Sequence, residues 1–391
     1  MFSGIPEILE ELRAGRMAVL VDDEDRENEG DLAMAAEKIT PEAVNFMASK
    51  GRGLICAPLT GERLQQLDIP LMVRHNTSSM GTAFCVSVDA RDAESNGASA
   101  ADRARTIRRL VDPQARPVDL VRPGHVLPIR AAEGGVLRRA GHTEAAVDLA
   151  RLAGLQPAGV ICEIMNPDGT MARLPELRRF ASEHGLKITC IASLIEHRLA
   201  HETLVRPLSN AHLPTEWGDF RVIAFQNDVD GGQHLALIMG NPSADSPVLV
   251  RVQVECLTGD AFGSRRCHCR RRMEQALRAV AARGEGVIVY LRLEGSGGSL
   301  LEKLQAYQLI DEGKPVPDPH QIWDPRDYGI GAQILRALGL RKIEVLGTDP
   351  MRLAGIRGYG LDIVGHVPLD SENEAPDNIR ELSGRKRRAR T

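Results

Sequence analysis

Ile5, Ile8, Leu9 and Leu12 recur at helical spacing, and Gly15 stops the pattern just before the apolar run at residues 17–21. A run so short and sharply bounded predicts a buried strand. Residues 145–155 show a helical period, and residues 158–164 (AGVICEI) predict another buried strand. The small, polar stretch 89–102 predicts a mobile loop. Regularity lapses between His201 and Pro214, where Pro207, Ser209, Asn210 and Pro214 crowd together. Beyond it, strand patterns at 236–239, 248–254, 286–290 and 343–346 accompany helical ones at 273–283 and 300–308. The expected class is α/β and α+β: two αβ domains with mixed sheets flanked by helices. The domains are expected at 1–202 and 214–369, joined by a linker at 203–213 and followed by a disordered basic tail at 370–391.

Composition narrows the functional classes. The 391 residues are 43% hydrophobic and 26% charged, so each unit can bury a core. A net charge of −4 excludes an overall basic nucleic-acid binder, and 3% aromatic content offers little for base stacking. No apolar run approaches a membrane span, and the N-terminus is an acidic amphipathic helix, so neither membrane nor nucleic acid is an expected partner. Seven cysteines, an odd number with one tight cluster, predict a cytoplasmic protein that uses some thiols for a metal or for catalysis. The last seven residues carry five basic side chains; they read as a solvated tail, with RNA or phosphate contact as the alternative.

Directly after the first predicted strand, seven of the ten residues 22–31 (DDEDRENEGD) are carboxylates. Such a density of charge repels itself unless a cation offsets it, and carboxylate oxygens suit a hard divalent ion such as Mg²⁺. A solvated acidic turn is the alternative. Arg26 adds a planar fork for a phosphate or polarised oxygen. Residues 134–144 (GGVLRRAGHTE) run straight into an amphipathic helix, an arrangement that attracts phosphate. There Arg139 and Thr143 supply donors and His142 a metal-ligating nitrogen. His125 lies in a further loop, RPGH, and Glu163 lies within the apolar strand, where desolvation is expected to raise its pKa. Singly each has a plain structural explanation; together they point to metal-assisted chemistry on a sugar phosphate.

The motifs DDEDRENEGD, NTSSMGTAF, SAADR, RPGHVLP, GGVLRRAGHTEAAVDL and PAGVICEIMNPDGTMAR, in this order, resemble 3,4-dihydroxy-2-butanone-4-phosphate synthase of riboflavin biosynthesis, across residues 5–202. The resemblance implies a Mg²⁺-dependent, Mn²⁺-tolerant homodimer, a lyase converting ribulose 5-phosphate to the butanone phosphate and formate. It implies Glu27 and His142 as metal ligands. Arg26, Glu27, Asp31, Arg139, Ala140, Gly141, His142, Thr143 and Glu163 would line the substrate, and His125 and Glu163 would transfer protons. One departure stands out: the family's Thr-Thr-Gly ahead of SAADR is Ser95-Asn96-Gly97 here.

In the second half, Cys256, Cys267 and Cys269 form a Cys-x₁₀-Cys-x-Cys pattern, which suits a catalytic Zn²⁺ with an open fourth position; unused buried thiols are the alternative. PTEWGDF, VECLTGDAFGSRRC, AYQLIDEG, RDYGIGAQILRALG and GYGLDIVGHVPL resemble GTP cyclohydrolase II over residues 214–369. The resemblance puts Arg251, Glu255, Tyr307, Asp324 and Arg326 at substrate-contacting or catalytic positions, Asp324 as proton acceptor and Arg326 as nucleophile. The nucleotide-reading parts depart from it. Arg-Val-His-Ser-Glu is Arg251-Val252-Gln253-Val254-Glu255, Glu-Gly-Arg is Glu294-Gly295-Ser296, and Leu-Thr-Asn-Asn-Pro is Leu346-Gly347-Thr348-Asp349-Pro350. Cys-Asp-Cys-Gly is Cys267-His268-Cys269-Arg270, and the Asp-Thr-Val-Glu-Ala-Asn segment after Gly313 is missing. The expectation is a cyclohydrolase-like fold that opens GTP inefficiently and serves as a dimerisation or regulatory module. A second working enzyme, or a non-enzymatic role in which this domain and the basic tail scaffold flavin enzymes or bind RNA, are the alternatives.

Overall fold

The structure is a computed structural model that describes residues 2–23, 26–78, 80–229, 231–292, 300–314, 325–347 and 360–369, without the side chains of 302 and 325–328. The chain divides into two compact units at residues 197/198. Among the described residues each unit has one mixed sheet, as the sequence predicts, and each sheet has seven strands.

The first unit contains strands β1 (Ala18–Val21), β2 (Gly30–Ala35), β3 (Cys56–Leu59), β4 (Val88–Ala90), β5 (Leu120–Arg130), β6 (Gly159–Glu163) and β7 (Lys187–Cys190), in sheet order β4-β5-β3-β6-β2-β1-β7. Its helices are α1 (Ile5–Arg13), α2 (Pro41–Phe46), α3 (Gly61–Gln66), α4 (Ala100–Val111), α5 (His142–Leu152), α6 (Leu174–Glu183) and α7 (Ile191–His201), the last running across the unit boundary. Side chains alternate across β1. Val19 and Val21 join one core with Val44, Ile107 and Leu177, from α2, α4 and α6. Ala18 and Leu20 join another with Ile8, Leu12, Ala145 and Leu149, from α1 and α5. Helices therefore cover both faces, and the strands read as continuous apolar runs.

The loop expected at 89–102 is largely ordered: β4 takes its first residues, α4 its last, and the segment between is hydrogen-bonded to Asp102. At Gly124 a Cβ would overlap the β4 backbone at Val88 and Asp89. Gly124→Ala is therefore expected to destabilise the first unit by about 3 kcal/mol. Calorimetric melting would show this as a drop of several degrees.

The second unit contains β8 (Val205–Thr215), β9 (Gly218–Asn227), β10 (Gln233–Met239), β11 (Val248–Val254), β12 (Gly286–Leu291), β13 (Lys342–Leu346) and β14 (Asp362–Val367), in order β14-β13-β11-β12-β10-β9-β8. Its helices are α8 (Leu257–Asp260), α9 (Cys269–Arg283), α10 (Leu300–Asp311) and α11 (Pro325–Ala337). Phe220, Leu237, Leu249, Leu277, Val280 and Ile288 form a core between sheet and α9. The expected linker at 203–213 is mostly strand: β8 pairs with β9 along its length. Pro207 and Pro214 hid it, because proline breaks a central strand. β8 is an outer strand, where a missing N–H need cost no ladder bond. Among the described residues no helix is long and apolar enough to cross a membrane. The tail at 370–391 lies outside the described residues.

Candidate functional site

The acidic segment folds around its own first residue. Asp22, buried at the end of β1, accepts the backbone N–H of Glu29 at 2.8 Å and of Glu27 at 3.2 Å. The Arg26 guanidinium donates to Asp22 at 2.7 Å and to Glu27 at 2.6 Å. Arg173 donates to the Glu27 carbonyl at 2.7 Å, tying the turn to the start of α6. A freely solvated turn does not have this architecture. Glu24 and Asp25 lie outside the described residues.

Opposite stands the loop entering α5. Gly135, at φ +63°, occupies the left-handed region, and a Cβ there would overlap the Asp148 carboxylate that accepts the Val136 N–H at 2.8 Å. Glu144 accepts the Ala132 N–H at 3.0 Å and pairs with Arg139 at 2.7 Å, while Arg139 also donates to the Met80 carbonyl at 3.1 Å. A Cβ at Gly141 would lie 3.0 Å from Arg26 Nη2 and would overlap Arg139 Nη1. Two guanidinium groups thus converge beside the N-terminus of α5, where Ala140 is half-buried and Thr143 buried. Positive charge joined to the N-terminal end of a helix makes an anion cradle.

His142 opens α5 and is 6% exposed. Its Nδ1 lies 3.8 Å from Glu27 Oε2 and 3.9 Å from Asp31 Oδ1. Ligand atoms of Asp22, Glu27 and His142 all fall within 4.8 Å of one another. Burial pulls the His142 ring down, but the Asp31 and Glu27 carboxylates outweigh it and hold the pKa up at about 9. Contact with His142, supported by Arg26 against the effect of burial, holds Glu27 at about 2. Burial lifts Asp31 to about 7, although His142 opposes it. His142 Nε2 and Asp31 Oδ1 are buried and find no hydrogen-bond partner among the described residues. Oxygen donors with one imidazole and orphaned lone pairs fit a hard divalent cation.

Glu163 ends β6 opposite Asp31 on β2, so the two are cross-strand neighbours. The expectation of a carboxylate enclosed in an apolar strand is not met. Glu163 is half-buried at the strand end and accepts the Leu54 N–H at 2.7 Å. His125 lies near the same sheet edge, since β5 pairs Leu127 with Cys56 at the start of β3. Its Nδ1 is 2.7 Å from Asp89 Oδ2, and its backbone N–H donates to Asp89 Oδ1 at 2.9 Å.

The structure therefore gathers Arg26, Glu27, Asp31, Arg139, Gly141, His142 and Thr143, and sets Glu163 beside Asp31. The residue-by-residue reading left out Asp22, Asp89 and Glu144 as site partners. Asp22 had a signal, being the first carboxylate after the strand; Asp89, 36 residues before His125, had none.

In the second unit Cys256, Cys267 and Cys269 bring their sulfurs within 4.8 Å of one another, Cys256 and Cys267 at 3.6 Å. A Cβ at Gly259 would lie 2.7 Å from the Cys267 sulfur, so the turn of α8 needs that glycine's small size. Contacts with Cys267 and Cys269, helped by Lys303 at 2.7 Å and opposed by burial, pull the Cys256 thiol far below its usual pKa. Three clustered sulfurs, with Cys256 drawn toward the thiolate, fit Zn²⁺. Arg251 is buried and donates to Gln253 at 2.9 Å and to the Leu346 carbonyl at 3.0 Å, inside its own sheet. Glu255 lies 3.5 Å from Arg292, and Arg266 lies over the Tyr307 ring at 4.9 Å. Asp324, the Arg326 side chain, Glu294-Gly295-Ser296 and Thr348-Asp349-Pro350 lie outside the described residues.

Comparison with known proteins agrees with both halves. Residues 6–197 match the family 3,4-dihydroxy-2-butanone 4-phosphate synthase, and residues 206–368 match GTP cyclohydrolase II. The riboflavin biosynthesis protein RibBA of Aquifex aeolicus is 53% identical over 378 residues, covering 95% of this chain and 93% of that protein. RibBA of Bacillus subtilis is 51% identical over 377 residues, covering 95% and 94%. A crystal structure of RibBX, a two-domain 3,4-dihydroxy-2-butanone 4-phosphate synthase from A. baumannii, superposes with a TM-score of 0.76 at 39% identity, covering 94% of this chain and all of that one. The chain thus belongs to the RibBA family of riboflavin biosynthesis proteins, an enzyme with a 3,4-dihydroxy-2-butanone 4-phosphate synthase domain followed by a GTP cyclohydrolase II domain.

Proposed function

We propose that the first unit converts D-ribulose 5-phosphate to 3,4-dihydroxy-2-butanone 4-phosphate and formate, with Mg²⁺ or Mn²⁺ held by Glu27 and His142. The observation that carries this reading is the meeting, at one end of α5, of a hard-cation donor set with an arginine-lined anion cradle. When bound, such a cation polarises a carbonyl and its neighbouring hydroxyl. Arg26, Arg139 and the α5 N-terminus bind the phosphate, and the backbone from Ala140 to Thr143 frames it. Asp89 fixes the His125 ring by accepting from Nδ1, which leaves Nε2 as the atom that exchanges protons. Glu163, beside Asp31, serves as the second proton carrier on the substrate. None of the seven cysteines forms a disulfide, which suits the cytoplasm.

For the second unit the reading is a zinc-competent cyclohydrolase fold with weak GTP hydrolysis, acting as a dimerisation or regulatory module of a homodimer. It is supported by the thinned nucleotide motifs and by Arg251, whose guanidinium is committed to Gln253 and backbone carbonyls. The similar RibBX structure is described as a two-domain synthase. The clustered thiols favour the alternative, a second working enzyme. Purified chain supplied with both substrates separates the readings. The diketone product is expected at ordinary rates, with pyrimidine product about a hundredfold lower or less, because each lost charge-assisted hydrogen bond weakens binding by roughly 1.5–3 kcal/mol. Ring opening of GTP at rates matching the synthase would overturn the weak-hydrolysis reading. Cys267→Ser is expected to reduce bound zinc from about one ion per chain to none, measured by metal analysis.

A further inference from the structure

Asp102, in the first turn of α4, is buried and lies outside the donor set and the anion cradle. Its own N–H caps on Ser99 Oγ at 3.1 Å, an ordinary helix start. Its carboxylate reaches well beyond the cap. It accepts the Glu94 N–H at 2.8 Å, the Ser99 hydroxyl at 2.9 Å, and the Ser95 hydroxyl. The Ser95 hydroxyl, with the other donors behind it, holds the Asp102 carboxyl low, at about 2.

The segment clasped in this way carries Gly97 onto the His125–Asp89 pair. At φ +90° Gly97 occupies the left-handed region; a Cβ there would overlap the Asp89 carboxylate and lie 2.9 Å from His125 Nδ1. One turn later Thr106 accepts the Ala90 N–H at 2.9 Å, fixing β4 just after Asp89. One helix therefore holds both the strand that carries Asp89 and the segment lying against it.

We propose that Asp102 is a positioning residue for the synthase reaction: it clasps residues 94–99 so that Gly97 rests on the Asp89–His125 pair and keeps the imidazole oriented for proton transfer at Nε2. The proposal rests on the reading of His125 as a proton carrier. Ser95 supplies one of the clasping hydroxyls. The Ser-Asn-Gly sequence at 95–97 thus keeps a hydroxyl at its first position, where the resembled family has threonine.

The test uses the full chain with Mg²⁺ and three variants. Asp102→Asn keeps the shape but removes the charge and replaces one of the two acceptor oxygens with an NH₂ donor. It is expected to lower kcat about tenfold or more while the KM for ribulose 5-phosphate stays within about threefold. Amide exchange at 94–99 is expected to quicken about tenfold, with β3 and β6 unchanged. Ser95→Ala, which leaves the buried carboxylate in place, is expected to show the same pattern at smaller size and decides the matter should Asp102→Asn fail to fold. Native kcat with a loosened segment, or lost activity with exchange at 94–99 unchanged, overturns the proposal. His125→Ala separates the two failures. Full activity there removes the proton-carrier reading itself, whereas an inactive His125→Ala beside a fully active Asp102→Asn removes only the clasp.

Discussion

His142→Ala is expected to eliminate formation of the butanone phosphate, with a loss of about three orders of magnitude or more in kcat/KM. His142 is the one imidazole in a donor set otherwise made of carboxylates, and it is buried at the head of α5. Its removal takes away a ligand atom and leaves Glu27, Asp31 and Asp22 facing one another beside Arg26. Part of that repulsion is relieved by protonating Asp31, which burial already pushes up to about 7, and the site then loses affinity for a divalent cation. Glu27→Gln preserves the volume but removes the charge and is expected to behave alike. The apolar face of α5, with Ala145, Ala146 and Leu149, is untouched, so both variants should fold. Titration with Mn²⁺ followed by spin resonance, beside the turnover assay, checks the prediction. A folded variant with native metal affinity and more than about a tenth of native turnover would remove Glu27 and His142 as the ligands.

His125→Ala is expected to cost about two to four orders of magnitude in kcat, with Mn²⁺ affinity unchanged. The imidazole is no member of the donor cluster, so its loss should leave ion binding intact while removing a proton carrier. Asp89→Asn sharpens the test. The Asp89 carboxylate accepts from both the backbone N–H and Nδ1 of His125, which selects the ring tautomer. An amide in its place can present N–H to Nδ1 and so move the proton to Nε2, which then cannot act as the base. A kcat for Asp89→Asn well below native, with an undisturbed KM, is the expected signature. Equal activity in both variants and the native enzyme would remove this pair from the chemistry.

Much of this was legible because it is local. The strand at 18–21, the acidic residues directly after it and the glycine-rich approach to α5 are contiguous in sequence, and their residue types state their chemistry. The pairing of Asp31 with Glu163 was not legible, because it depends on the register of two strands far apart in the chain. Asp89 could not be told from a loop residue until β4 met β5, nor Asp102 from a helix cap until residues 94–99 closed on it. Residues 203–213 show the opposite case: the prolines argue locally against a strand, but whether a strand lies at the centre or the rim of a sheet is decided by the whole fold.

That rim position has its own consequence. β8 lines one margin of its sheet with nearly all its residues exposed, which is the geometry that recruits foreign strands and seeds aggregation. Pro207 and Pro214 each remove a backbone donor from this margin, and the ladder slips between Pro207 and Ser209, so an incoming chain meets an interrupted template. The two residues that disguised the strand also let it stay bare without becoming adhesive.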